Sequence, residues 1–422
     1  LLVNFQQLQP EKRAAVCGKE CAMLEPAART PPLELQRRIA ALQKHLVENQ
    51  LDGALILQNS DLFYFAGTIQ QSHLYIPVDD DPLLMVRKSF QRATSESALA
   101  RIVPINSPKE LLDRIRSSGL GRPRRIGMEL DVLPVNLYRI YETIFGEGAI
   151  EDLSPQIRQV RACKSDYELA LIRAACRLAD QVSATVPELL RIGATEVELA
   201  GQVEAAARKL GHQGIIRMRL WGSELFYGHL MAGATAAIPS YLASPTGGRS
   251  VSAAVAQGAS DRSIRRNEPI LLDYVFAHQG YLADHTRIFC IGEIDDRLTK
   301  AHQQMLAIQA QIMSAAKPGV MAGELYQTAL TMAEDAGLGE YFMGSEEKRI
   351  RFIGHGVGVE LDEFPFLAKG QTMPLAAGMV IALEPKAIFP GLGVVGIENT
   401  HVVTPSGLQR LTNAPDEIHY KK

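Results

Sequence analysis

The chain has 422 residues, of which 46% are hydrophobic and 22% charged, with a formal net charge of −3. That length allows two or three domains, and that composition excludes a disordered or fibrous chain. The near balance of 44 basic and 47 acidic residues leaves no electrostatic footprint for nucleic acid or an anionic membrane surface.

The chain starts with LLVNFQQLQPEKRAAV. This stretch has no basic segment followed by an apolar core, so it does not read as a signal peptide. No uninterrupted apolar run approaches the ~20 residues of a membrane-spanning helix. Residues 1–31 read as an N-terminal extension, partly helical. The five cysteines, Cys17, Cys21, Cys163, Cys176 and Cys290, do not make a disulfide framework. They are read as plain thiols of a reducing compartment, the cytoplasm.

From Pro32 the pattern changes. Leu35, Ile39, Leu42 and Leu46 fall at helical spacing. DGALILQNS predicts a short strand, and LFYFAGT and LYIPVDDDPLLMVRK predict further strands around a DDDP turn. KELLDRIRSSG predicts a helix with a Gly stop, and RRIGMEL another strand. This alternation makes residues 32–160 an α/β domain. A long helical segment follows from SPQIRQV, and Ser165 with Glu168, then Thr195 with Glu198, have capping-box spacing. A second domain, 161–422, is placed after the boundary. Within it EPILLDYVF and GYLADHTRIFCIG read as a hairpin, two helices follow, and RFIGHGVGVE, GMVIALEPKAIF and VVGIENTHVVT read as strands. Two helices and then strands therefore occur twice.

Four acids interrupt these apolar strands: Asp273, Asp284, Glu384 and Glu398. An unpaired buried carboxylate costs several kcal/mol, and two at close range repel unless a cation or proton lies between them. The hairpin makes Asp273 and Asp284 neighbours. His355 stands between two glycines, which allows close backbone approach. Such a set suits hard or borderline divalent cations such as Mn²⁺, Co²⁺ or Zn²⁺. Five protein ligands exceed what one catalytic ion takes and match two ions with bridging carboxylates.

The motifs LLDY, ADHTR, GHGVG, EP and IENT, in this order, resemble the dimetal site of the methionine aminopeptidase, aminopeptidase P and prolidase superfamily (M24), whose fold is called pita-bread. The N-terminal LILQNSDLFYFAGT is similar to the creatinase-type domain of aminopeptidase P and prolidase. The resemblance implies an α/β creatinase-like N-terminal domain and an α+β pita-bread C-terminal domain. It implies two divalent metal ions: Asp273 on one, Asp284 and Glu398 bridging, His355 and Glu384 on the other, with Glu384 also the base. It implies a cytoplasmic metallohydrolase of amide C–N bonds acting on short Xaa-Pro peptides. It further implies a homodimer, and an N-terminal domain lying over the mouth of the site and limiting substrate length. A non-peptidase, creatinase-like amidohydrolase and a catalytically silent binding protein are the alternatives.

The chain also departs from that family. Counting from the metal motifs, the two further histidines of its peptidases fall at Ala256 and Asp362, IEDT reads IENT with Asn399, and the Arg before Glu398 is Gly396. The segment from Gly214 to Ala256 is longer than the family's. It contributes Trp221, Glu224, Tyr227, His229 and the SPTGGRS loop. Asp362, His229, Trp221 and Tyr227 are the candidate substrate-facing residues. Loss of the two histidines predicts weak cleavage of standard Xaa-Pro peptides. Arg287 is expected to pair with a nearby acid.

Overall fold

The computed structural model describes residues 29–241, 244–345 and 349–422. The extension, with Cys17 and Cys21, lies almost wholly outside these residues. The N-terminal part runs α1 (Pro32–Glu48), β1 (Gly53–Ile56), α2 (Asn59–Ala66), β2 (Ser72–Pro77), β3 (Leu83–Val86), α3 (Phe90–Glu96), β4 (Arg101–Pro104), α4 (Leu111–Ser117), β5 (Ile126–Met128), α5 (Val135–Phe145), β6 (Ile150–Asp152) and α6 (Ser154–Ala162). Its strands form one mixed sheet in the order β4-β3-β2-β1-β5-β6. Leu35, Leu42 and Leu46 of α1 pack on one face with Phe65 and Ile157, and Leu111, Ile115 and Phe145 cover the other. Helices on both sides explain why the central strands are apolar throughout.

LFYFAGT is not a strand. It forms α2, because Gln58 accepts hydrogen bonds from the Ser60 and Asp61 amides and Gly67 closes the helix at φ 72°. A side-chain cap and a left-handed terminal glycine outweigh the β preference of the aromatic residues.

The long helical segment breaks at Cys163–Ser165. Beyond it lie α7 (Asp166–Leu189) and α8 (Glu196–Lys209), each opened by a complete capping box, Ser165 with Glu168 and Thr195 with Glu198. The chain continues through β7 (Gly228–Ala232), β8 (Ile270–His278), β9 (Tyr281–Ile291), α9 (Asp296–Ala315), α10 (Ala322–Asp335), β10 (Phe352–Gly356), β11 (Glu363–Ala368), β12 (Val380–Leu383), β13 (Lys386–Phe389), β14 (Gly393–Gly396), β15 (Asn399–Thr404), β16 (Gly407–Arg410) and β17 (His419–Lys421). Two helices and then strands thus occur twice. The strand orders are β17-β9-β8-β7, β11-β10-β12-β15-β16, and the pair β13-β14. An isolated antiparallel bridge from Thr286 to Glu398 joins the first two. Helices α7 and α8 cover one apolar face of this layer, and α9 and α10 cover another.

Two ion-pair networks tie the two halves together. Arg38 of α1 donates to Glu34 and to the Tyr281 hydroxyl. Arg161 pairs with Asp61 at 2.6 Å, Glu360 at 2.7 Å and Glu363 at 2.6 Å, all of them buried. No helix among the described residues is long and apolar enough to cross a membrane. Cys163, Cys176 and Cys290 are free thiols.

Candidate metal centre

The β8–β9 hairpin turns through Gln279 at φ 47° and Gly280 at φ 87°, the two left-handed residues that a tight hairpin turn requires. That turn sets the register: Asp273 faces Thr286, and Val275 faces Asp284. Side chains alternate along a strand, so Asp273 and Asp284 share one face. His229 on β7 is the register partner of Asp273. His355 on β10 faces Ala382, two residues before Glu384. Glu384 and Glu398 do not lie inside strands. Each sits at a break, Glu384–Pro385 between β12 and β13, and Ile397–Glu398 between β14 and β15. There the chain leaves the five-stranded sheet for the β13–β14 pair and returns.

The structure brings Asp273, Asp284, His355, Glu384 and Glu398 to one cavity of about 110 Å³. Asp284, His355 and Glu398 each offer a donor atom within 4.8 Å of the others. The His355 Nε2 atom is 3.8 Å from Asp284 Oδ2 and 3.7 Å from Glu384 Oε1. Asp284 Oδ1 is buried and has no hydrogen-bond partner among the described residues. An orphaned carboxylate oxygen beside an imidazole fits a divalent metal, which is the group the resemblance implies.

Sequence reasoning missed two members of the centre. Lys386, fully buried, places its Nζ 2.9 Å from Asp273 Oδ2, 2.8 Å from Glu384 Oε2 and 3.0 Å from Glu398 Oε2. A clue stood in the sequence: a lysine in the apolar run VIALEPKAIF needs a partner as much as an acid does. Thr286 was missed as well, and its hydroxyl donates to Glu398 Oε2 at 2.8 Å.

Burial acts on Lys386, Asp273, Asp284, Glu398 and His229. It opposes the charge on Lys386, but the surrounding carboxylates hold the ammonium well above its ordinary value. Burial also opposes the charge on Asp273, yet Lys386 and His229 bring its carboxyl below the usual range. Asp284 is pushed well up by burial and by the charges of Glu398 and Asp273. Glu398 rises to about 8, again through burial first, against the pull of Lys386. Burial lowers His229 to about 4.

Among the candidate substrate-facing residues, His229 and Asp362 line the cavity, and Trp221 and Tyr227 do not. Trp221 is 99% exposed. Tyr227 is buried against His212 and Phe226. Asp362 is no free charge: its two oxygens accept from the Arg219 and Leu220 amides at 2.8 and 2.7 Å. Ala256 is exposed and lies off the cavity wall, which its neighbour Gln257 lines instead. Ala256 therefore gives no ground for expecting weak Xaa-Pro cleavage, while Asp362 keeps its place on the cavity wall. Arg287 bonds mainly to carbonyls and to Asn399 Oδ1, with Asp416 at 3.5 Å.

The walls come from the long segment, through Met218, Leu220, Glu224 and Leu225, and from Ser244, Pro245 and Gln257. Phe352, Leu361 and Phe366 add apolar surface. No described residue before Met218 lines the cavity. Among the described residues Glu224 has no hydrogen-bond or ion-pair partner.

Residues 170–405 match the model of Metallopeptidase family M24, and residues 38–163 match that of the Creatinase/Prolidase N-terminal domain. The chain is 28% identical over 388 residues to an Xaa-Pro dipeptidase of Pyrococcus furiosus, covering 91% of this chain and 100% of that one. It is 28% identical over 387 residues to an Xaa-Pro dipeptidase of Lactobacillus delbrueckii, covering 89% and 97%. The prolidase structure from Pyrococcus horikoshii is similar with a TM-score of 0.75 and 25% identity, over 90% of this chain and 98% of that one. With the pita-bread layer and its acid cluster in place, a family match over more than half its length makes this chain a metallohydrolase of metallopeptidase family M24.

Proposed function

We propose that the chain hydrolyses the amide bond of short peptides with Pro after the first residue. The observation that carries this reading is the convergence of Asp273, Asp284, His355, Glu384 and Glu398 on one cavity with apolar walls. The similar proteins named above are Xaa-Pro dipeptidases and a prolidase. They do not favour a non-peptidase amidohydrolase or a silent scaffold.

Divalent metal, Mn²⁺, Co²⁺ or Zn²⁺ in our reading, would be held by residues of this acid set and His355. When bound, it supplies Lewis acidity toward the scissile carbonyl and the attacking water. Glu384 takes the proton of that water. Its Oε2 already accepts from Lys386, so the carboxylate is held in one orientation. Leu225, Phe352 and Phe366 exclude bulk water and pack on the substrate side chains. Glu224 receives the cationic amino terminus, and His229, neutral near pH 7, faces the peptide as a hydrogen-bonding group. We place the enzyme in the cytoplasm as a homodimer. We divide it into an extension (1–31), a creatinase-like domain (32–160) and a catalytic domain (161–422).

The test is a kinetic screen of Xaa-Pro dipeptides, other dipeptides and N-acyl amides after loading with each metal. Xaa-Pro efficiency above about 10⁴ M⁻¹s⁻¹, the ordinary enzyme range, and its loss with chelator are expected. Inactivity on every Xaa-Pro peptide under every metal would overturn the reading.

A further inference from the structure

We infer that the ammonium of Lys386 takes the place of one of the two cations that the resemblance implies. The centre then holds a single divalent ion at Asp284, His355 and Glu398, with Glu384 shared between ion and ammonium. The inference rests on the metal-dependent reading above and deepens it.

The geometry divides the acids into two ends. At one end Lys386 Nζ is within 2.8–3.0 Å of Asp273, Glu384 and Glu398. These contacts use all three ammonium protons. A second ion on Asp273 would compete for Oδ2, which already accepts from Nζ. It would also sit beside a buried like charge, where repulsion is least screened. At the other end no lysine or arginine among the described residues pairs with Asp284. Asp284 Oδ1 has no partner among the described residues. Asp284 Oδ2 and Glu384 Oε1 stand 3.8 and 3.7 Å from His355 Nε2, too far for hydrogen bonds. Atoms bound about 2.0–2.2 Å from one shared ion can be that far apart.

A second observation supports the seat of the lysine. Gly396 is its register partner across β13 and β14. A Cβ at Gly396 would come 2.9 Å from Lys386 Cγ and 2.7 Å from its Cα. The Arg that the resemblance places at this position would meet the backbone of β13 and the stem of the lysine. Gly396 thus leaves free the space that the stem of Lys386 occupies.

The test counts ions. Wild-type protein is reconstituted in excess Mn²⁺, desalted and measured by elemental analysis and electron paramagnetic resonance. One Mn²⁺ per chain with a six-line spectrum of an isolated ion is expected. Lys386→Met removes the charge and keeps an unbranched stem; it should raise the count to two, with an exchange-coupled spectrum. Two coupled ions in the wild type would overturn the inference and leave the hydrolase reading untouched. A variant that still holds one ion would overturn the claim that the ammonium excludes the second. Should the variant not fold, anomalous diffraction from wild-type crystals in Mn²⁺ decides. One peak near Asp284 and His355 supports the inference, and a second beside Asp273 overturns it. Absence of Xaa-Pro hydrolysis with one ion bound would overturn the substrate reading alone.

Discussion

Lys386 and Gly396 face each other in register, and the side chain of one fills the space that the other leaves. Gly396 has φ +153°, and a Cβ there would also lie 2.5 Å from the Pro385 carbonyl oxygen. Gly396→Ala must push backbone as well as side chain. We expect a loss of about 1–3 kcal/mol, the usual range for overpacking, with Lys386 displaced from the carboxylates. Denaturant unfolding reads the first and a crystal structure the second. An Ala variant as stable as wild type would show that the contact is slack.

Asp284 gives a prediction in which the sign changes with metal. Its carboxyl is pushed well up by burial and by Glu398 and Asp273, so a neutral amide removes repulsion in the metal-free protein. In chelator, Asp284→Asn should melt at or above the wild-type temperature. In Mn²⁺ the wild type should gain about 2.7 kcal/mol at a hundredfold excess over Kd, and the variant should gain almost nothing. Equal gains in both proteins would remove Asp284 from the ion.

Arg161 is buried and pairs with Asp61, Glu360 and Glu363. Breaking a buried network by deleting one partner costs about 3–5 kcal/mol. Arg161→Ala should lose that much in denaturant unfolding, and because Asp61 lies in the N-terminal half, the two halves should begin to unfold separately. A single unchanged transition would count against the network as the link.

The acid limb of stability should carry the mark of Glu363. Burial opposes its charge, but Arg161 and Lys164 hold its carboxyl down to about 2 from 4.5. A depressed carboxyl stabilises the fold fully above its unfolded value and loses that contribution as pH falls toward its folded value. The window is therefore pH 4.5 down to about 2, and the amount is about 3 kcal/mol at 1.36 kcal/mol per unit. Glu363→Gln should flatten stability across this window. An equally steep fall in the variant would assign the acid limb to other groups.

His229 has its imidazole lowered to about 4 by burial. A group lowered in this way stays neutral through physiological pH. Its ring proton resonances should show no titration between pH 5.5 and 8. His229→Ala should lower kcat/KM for Xaa-Pro peptides by about 10²-fold, the size of one lost hydrogen-bonding group at a reacting centre. A titration midpoint near 6.5 would place the ring in solvent.

Asp273 and Asp284 were legible because a two-residue hairpin and strand alternation together determine which side chains meet. Glu384 and Glu398 were legible from the cost of burying an acid without reason, and His355 from the glycines on either side of it. Lys386 escaped because attention went to the acids, although the same cost applies to a buried ammonium. The helix α2 was misread because its determinants are one cap at Gln58 and one glycine at Gly67, not periodicity. Trp221, Tyr227 and Ala256 were misplaced for a different reason. They lie in or beside a segment with one short strand, where no register carries a side chain to a known place.

The same segment has a consequence for how this enzyme can diversify. Its cavity-lining start is fastened by Asp362 from below and by Arg219, which reaches Asp131 and Asp61 in the N-terminal half. The acid cluster is built on β8, β9 and β10 and at the breaks beside β12–β15, and the segment adds to it only His229, the register partner of Asp273. Width and polarity of the substrate chamber are thus separable from the chemistry at its floor. A graft confined to the wall residues Leu220 to Leu225, with Arg219, His229 and Asp362 kept, exchanges the mould while leaving the tool in place.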